Sequence, residues 1–303
     1  MSATTTSPST AGASSTTSPT RGSSAARARL LRTLAQLGTG IVLAGAVLVS
    51  IFPFYWMLRT AVSPADEIFF QGISLVPSQI DLSGFARAWE RGGLGDAIVT
   101  GVIVTGGILL LQLLTCVPAA YVLTKVRFPG RGIALSLVLA CLLIPSQATL
   151  IPTFIGINAV GLADSMAALI LPFMTSAFGI YLLRQQMTAI PDALLEAARA
   201  DGLGHGRILV TVVAPLAAPG IAAFSVFSVF VHWNEYLWPL LVARSPELRT
   251  PPLALAVFQQ MDIGFDYAAL AAGAAIVTAP VVLLFLFAQK RFVQGMSGTE
   301  IPG

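Results

Sequence analysis

The sequence predicts an all-α, polytopic membrane protein with six transmembrane helices, and three observations lead there. Hydrophobic residues make up 55% and charged residues 10% of the 303 positions, with a mean hydropathy of +0.81. A soluble domain carries about 25% charged residues. This chain has too little charge to cover a globular surface, so most of its solvent must be lipid. Secondly, six apolar runs are long enough to cross a bilayer as helices, which takes about 20 residues. They are 37–58, 96–123, 133–156, 166–187, 217–242 and 267–288. Thirdly, the 17 Lys and Arg residues are unevenly shared. With the N-terminus inside, 12 fall on cytoplasmic segments and 5 outside. That bias sets orientation, so both termini are expected in the cytoplasm.

Taken in order, residues 1–36 read as a Ser/Thr-rich tail with a basic end at Arg21, Arg27, Arg29 and Arg32. Its first 24 residues have too little apolar surface to fold and are expected to be disordered. The first apolar run begins near Leu37, too long and too far along for an ordinary signal peptide, and reads as a retained span. Residues 60–95, containing "WERGGLGD", form the longest outside segment and read as a short cap. Pro172 interrupts the fourth run, which a membrane helix tolerates where neighbours re-satisfy its backbone. In the sixth run Ala268 and Ala272, and Ala271 and Ala275, repeat every four positions. That spacing suits close helix packing in lipid, and it also suits simple helix propensity. The membrane domain is thus placed at 37–290, with a C-terminal cytoplasmic tail at 291–303. Cys116 and Cys141 lie in apolar runs, without metal spacing, and read as small buried hydrophobes.

Several function classes drop out. The net charge of +3 comes from scattered residues, too few for a nucleic-acid surface. No catalytic cluster or metal spacing is visible, and the two histidines fall in different compartments, so neither an enzyme nor a cofactor is expected. There is no G-x-x-x-x-G-K-[ST] phosphate loop. The only lysines, Lys125 and Lys290, do not follow glycine-rich turns, so any ATP-driven step must rest on another chain. Ion-coupled carriers place ionisable residues at mid-membrane. Here the spans are nearly free of them: Asp96 and Arg59 lie at ends, and His232 and Glu235, near the outer end of the fifth, are the exceptions. A stand-alone secondary carrier or channel remains the alternative reading.

One polar interruption stands out: "IPDALLEAARADG" between the fourth and fifth runs. Asp192 reads as a helix N-cap. Leu194, Leu195, Ala197 and Ala198 form an apolar face at helical spacing. Gly202 suits a left-handed helix terminus. A second short helix is expected from about His205 to Val213, with Pro215 turning the chain back to the membrane, and the loop is placed at about 188–216. Small alanines and mixed charges favour a docking surface for another protein. A helix resting on lipid headgroups would carry bulky apolar and basic residues instead. His205 reads as a plain surface histidine.

These residues resemble the EAA loop of bacterial ABC importer permeases. That pattern runs E-A-A, three residues, G, nine residues, I, one residue, L-P. Glu196, Ala197, Ala198, Gly202 and Pro215 match it, while Val212 and Ala214 stand in for the Ile and Leu. Further stretches resemble the carbohydrate branch of the family, of the maltose and glycerol-phosphate type: "LLIPSQATLIPTF", "WNEYLWPLL" and the tail "FVQGMSGTEIPG". The likeness covers roughly residues 35–303. It implies a type I importer permease fold in a bacterial inner or plasma membrane. It also implies a second homologous permease, a homodimeric ABC ATPase and an extracytoplasmic substrate-binding protein as partners, with a sugar or related polyol phosphate as cargo. Glu196, Ala197, Ala198, Arg199, Asp201 and Gly202 are then expected to couple to the ATPase. The tail residues Gly295, Met296, Ser297 and Gly298 are expected to reach it. For the translocation path the candidates are Trp233, Asn234, Glu235, Tyr236 and Gln147, whose types suit sugar faces and hydroxyls. An interfacial Trp/Tyr belt is the other reading of the aromatics, and gate packing is the other reading of Asn234 and Glu235.

Overall fold

A computed structural model describes residues 21–64, 67–68, 74–259 and 265–297. The expected tail at 1–20, Gly298 and the last residues 299–303 therefore lie outside the described residues. The described part is helical, with no strand. Among the described residues, three helices are long and apolar enough to cross a membrane, and the number rises to six when three bent helix pairs each count as one span.

The chain divides into two compact units, Met1–Tyr55 and Trp56–Gly303. Within the first, the described residues form α1 (Arg21–Ala61), whose last turns, from Trp56 on, belong to the second unit. From Leu34 to Tyr55 it is exposed throughout, as suits a lipid-facing span. Residues 21–36 of the expected Ser/Thr-rich tail are helical, because "AARARLLRTLAQ" is rich in good helix formers.

The second unit is organised along α3 (Leu94–Lys125). At 1.5 Å per residue, its 32 residues run about 48 Å. Three buried clusters line it in sequence. Leu94 and Ala97 pack with Ala88, Phe258, Ala269 and Ala272. Val104 and Ile108 pack with Leu169, Trp238 and Val242. Cys116, Ala120 and Tyr121 pack with Leu183, Met187, Leu195 and Phe224. The cap at 60–95 contains a helix, α2 (Ser83–Gly92), whose buried Gly84 and Ala88 face α13 (Tyr267–Ser297). A Cβ at Gly84 would come within 3.1 Å of the Ala268 carbonyl, and Ala268 and Ala272 are buried there. The small-residue repeat of the sixth span thus serves a close approach. Arg87 of α2 pairs with Asp266 at 2.7 Å just before α13.

Three of the expected spans are not continuous helices. The third is broken into α4 (Arg131–Leu142) and α5 (Ser146–Ala159), bent by 100°. Pro145 cannot donate to Cys141, and it disfavours helical geometry at Ile144. The fifth, read as 217–242, ends as a helix at Trp233: α10 (Ala218–Trp233) is followed by a break and then α11 (Leu237–Val242). The ring of Pro239 is incompatible with a helical carbonyl at Glu235. The fourth span consists of α6 (Met166–Phe173), which closes as a 3-10 turn around Pro172, and α7 (Ala177–Thr188), at 44°. Between α7 and α10 lie α8 (Asp192–Ala200) and α9 (His205–Leu216), the latter meeting α10 at 80°. The sixth span continues as one helix to Ser297, past the expected boundary at 290.

The backbone groups freed by these breaks are taken up by side chains. Pro172 leaves the Ala168 carbonyl without its helical donor, and the Trp238 indole N–H fills that place at 2.9 Å. Gln112 donates to the Phe173 carbonyl at 3.0 Å, and Thr115 to that of Met174 at 2.8 Å. The Ser176 amide donates to Cys116 Sγ at 3.3 Å. Cys116 is thus a hydrogen-bonding group as well as a buried one, while Cys141 is exposed. Gln112, 3% exposed, also accepts from Ser228 Oγ at 2.7 Å and lies 3.1 Å from His232 Nε2.

Gln112→Leu is expected to orphan the Phe173 carbonyl and the Ser228 hydroxyl. At about 1–3 kcal/mol for each buried unsatisfied group, thermal unfolding in detergent should show a clear loss; an unchanged midpoint would mean that this side chain does not hold the break. Gly179→Ala places a Cβ against the Phe224 ring and should cost about 1–3 kcal/mol by overpacking. Adding Phe224→Leu should recover part of that loss.

Candidate functional site

Two regions gather the sequence candidates. The first is α8 and its flanks. Leu195 and Ala198 point into the core with Tyr121 of α3 and Met187 of α7. Leu194, Glu196, Ala197, Arg199 and Ala200 are exposed. The apolar face read from sequence is therefore split. One half anchors the helix, and the other half lies bare beside Glu196.

Hydrogen bonds pin both ends of α8. Pro191, not Asp192, occupies its N-cap position, and no side chain caps it. Asp192 is instead the first helical residue, where an acid complements the helix dipole. Its carboxylate is taken by Lys125 Nζ at 2.7 Å, and the same ammonium donates to the Ile190 carbonyl at 2.6 Å. The Lys125 hydrogen bond, then its charge, holds the Asp192 carboxyl below its ordinary range, with Arg127 and Arg199 adding smaller effects. At the other end Gly202 has φ +80°. Its amide donates to Arg199 at 2.9 Å, and the Leu203 amide donates to Ala198 at 3.0 Å. These are the two bonds of a Schellman terminus, which needs a left-handed residue at that position. His205 is exposed yet held: its Nδ1 lies 3.0 Å from the Tyr121 hydroxyl. Reading it as a plain surface histidine missed this tie, because nothing in local spacing links residues 84 apart. Arg199 reaches the Lys125 carbonyl at 3.4 Å. A cleft of about 660 Å³ opens between α8 and the α3–α4 connection, lined by Lys125, Arg127, Arg131 and Glu196 among others.

The second region is a pocket of about 310 Å³. Gln147 and Glu235, 88 residues apart, both line it, together with Ser146, Thr149, Phe173 and Trp238. The breaks in the third, fourth and fifth spans supply these residues. Glu235 Oε1 accepts from the Trp238 amide at 3.2 Å and so starts α11. Asp164, at φ +57°, lies outside that lining and accepts from the Arg244 and Ser245 amides at 2.8 and 2.9 Å. Aspartate tolerates that left-handed geometry better than most residues.

The other candidates lie elsewhere. The Trp233 ring is buried, and its Nε1 donates to Val277 at 3.0 Å, bracing α10 against α13 in the turn that Pro280 disturbs. Asn234 folds back onto the Phe230 carbonyl at 2.7 Å. Tyr236 is 39% exposed and does not line the pocket. Gly295, Met296 and Ser297 continue α13. Phe173 and Ser146 were missed in the sequence; the prolines at 145 and 172 beside them were the available signal. Among the described residues no group of His, Cys, Asp or Glu side chains could hold a metal ion.

With this geometry established, the chain was compared with known proteins. A family model described as "Binding-protein-dependent transport system inner membrane component" matches residues 112–298. The arabinooligosaccharides transport system permease protein AraQ of Halalkalibacterium halodurans is 30% identical over 262 residues, which cover 84% of this chain and 92% of that one. The sn-glycerol-3-phosphate transport system permease protein UgpE of Yersinia pestis is 28% identical over 86% of this chain and 95% of its own length. Among solved structures, a chain of a bacterial ABC transporter involved in the import of the acidic polysaccharide alginate superposes with a TM-score of 0.76. It is 23% identical, covering 86% of this chain and 97% of that one, and shows the same fold.

The Asp192 shift carries a pH dependence. A carboxyl held low when folded contributes stability above its unfolded value, about 3.9, and that stability is lost as pH falls through the lower, folded value. Hydrogen exchange at the Ile190 and Asp192–Leu195 amides should therefore accelerate as pH is lowered below about 4, beyond the intrinsic trend. In Asp192→Asn the opening should already be present at neutral pH, and the excess pH dependence should vanish.

Proposed function

The chain belongs to the family of binding-protein-dependent transport system inner membrane components, and from that membership we propose that it is a permease subunit of an ATP-driven ABC importer for a sugar or a related polyol phosphate. It is a multi-pass membrane protein and a transport subunit, with ATP hydrolysis on a separate chain. A second homologous permease completes the translocation path, and an extracytoplasmic binding protein delivers the cargo. The relatives named for arabinooligosaccharides, glycerol phosphate and alginate support a carbohydrate-type cargo. The Lys and Arg distribution supports both termini, and α8 with them, on the cytoplasmic side.

The single observation that carries the coupling role is the two-faced α8. Leu195 and Ala198 tie it into the core that reaches α3, α7 and α10. Glu196, Ala197 and Ala200 stay bare, a small-residue surface that another backbone can approach closely. On this reading a homodimeric ATPase receives that surface, with Arg199, Asp201 and Gly202 at its rim. Closure of the ATPase pair moves α8, and the packed core passes the movement to the spans. The end of α13, with Gly295–Ser297, extends toward the same partner. Gln147 and Glu235 line the path, while Trp233 braces its wall.

Affinity purification from gently solubilised native membranes tests this. Wild type should bring down an ATPase and a second permease. Ala197→Trp adds bulk on the bare face without touching the core. It should retain the second permease and lose the ATPase at least tenfold, together with uptake. Normal ATPase recovery and uptake in the variant would sink the docking role. A chain recovered alone in both cases would favour a stand-alone carrier.

A further inference from the structure

The pocket between the broken spans has an uneven set of charges. Its polar lining from α5 is Ser146, Gln147, Thr149 and Thr153, all neutral. Glu235 adds a carboxylate, and among the described residues no lysine, arginine or histidine lines the space. Nearby ionisable groups are engaged elsewhere. His232 faces Gln112 and the Phe173 ring, and Asp164 is taken by the 244–245 backbone. The Trp238 indole N–H is already committed to Ala168. Glu235 spends Oε1 on the Trp238 amide. Its Oε2 has no protein partner among the described residues and is free to accept from a ligand.

We propose that this pocket is a charge-selective glycan subsite, in which Glu235 admits neutral or cationic sugars and rejects anionic ones. The proposal rests on the reading of the chain as a carbohydrate permease and narrows its cargo. A hydroxylated ring offers O–H donors to Oε2, while Gln147 and the three hydroxyl side chains can both donate and accept. The half-buried Phe173 ring, backed by the buried Trp238, suits the C–H face of a pyranose. A phosphate or uronate would bring a second negative charge against Glu235, with no cation in the lining to offset it, and like-charge juxtaposition is strongly disfavoured. Family membership leaves this open, since relatives are named for neutral arabinooligosaccharides and for sn-glycerol 3-phosphate. Glu235 is the feature of this chain that decides it.

The test uses the solubilised wild-type importer complex without its binding protein, so that delivery does not set the selectivity. A carbodiimide labels Glu235, and mass spectrometry follows the rate with millimolar probes. Arabinotriose and cellobiose are the neutral probes, chitosan disaccharide the cationic one, and sn-glycerol 3-phosphate and an alginate trisaccharide the anionic ones. Neutral and cationic probes should slow labelling at least threefold, and anionic probes should leave it unchanged. Equal protection by the anionic probes overturns the proposal, as does no protection by any probe. A Glu235 that never labels overturns it too, because an open carboxylate in a wet pocket must react. Uptake in proteoliposomes containing the binding protein separates the two levels. If no carbohydrate is taken up at all, the permease reading itself fails; if a sugar is taken up while labelling is indifferent to charge, only the subsite fails.

Discussion

In a bilayer every backbone amide and carbonyl must find its partner inside the protein, and the architecture of this chain follows from meeting that demand while three of its spans are bent or broken. Prolines at 145, 172 and 239 stop helices where a simple span would continue. The groups they free near Pro172 are met from two sides. Gln112, Thr115 and Cys116 present a polar edge of α3 to residues 173–176, and the Trp238 indole takes the Ala168 carbonyl. These partners come from the second and fifth spans, so the break in the fourth span ties α3 and α11 to α6 and α7.

That tie also makes the pocket. Because α5 swings by 100° from α4 and α11 starts afresh after Trp233, the polar residues flanking the prolines point into one space. Unbroken helices would have spread Gln147, Phe173 and Glu235 along separate span surfaces. Irregular backbone at membrane depth is tolerated where it lines a cavity, and here the cavity and the irregularity have the same origin.

Cys116 joins the two regions. Its sulfur meets the Ser176 backbone at the break, and its side chain belongs to the core that holds Leu195 and Ala198 of α8. A displacement of α8 is therefore felt along α3 through close-packed side chains, and such interiors transmit strain because they compress little. Lys125–Asp192 at the start of α8 and Tyr121–His205 at the start of α9 tie the same loop to α3 by polar contacts.

Read alone, the sequence determined the helical class, the number of spans, the polar loop and its glycine terminus. These follow from composition, apolar run length and local backbone preference, which act between near neighbours. Gly202 is left-handed because of the helix it ends, and Glu196 stays exposed because the charge sits opposite Leu195 and Ala198. Tertiary structure alone decided which candidates meet. Trp233 and Trp238 are five residues apart and chemically alike, yet one braces α13 and the other serves α6 beside the pocket. His205 found Tyr121, and Gln112 found Phe173 and Ser228, across 84, 61 and 116 residues. No local period encodes such partners. They are set by where proline breaks leave unpaired carbonyls and by which side chains the packing of separate spans brings within reach.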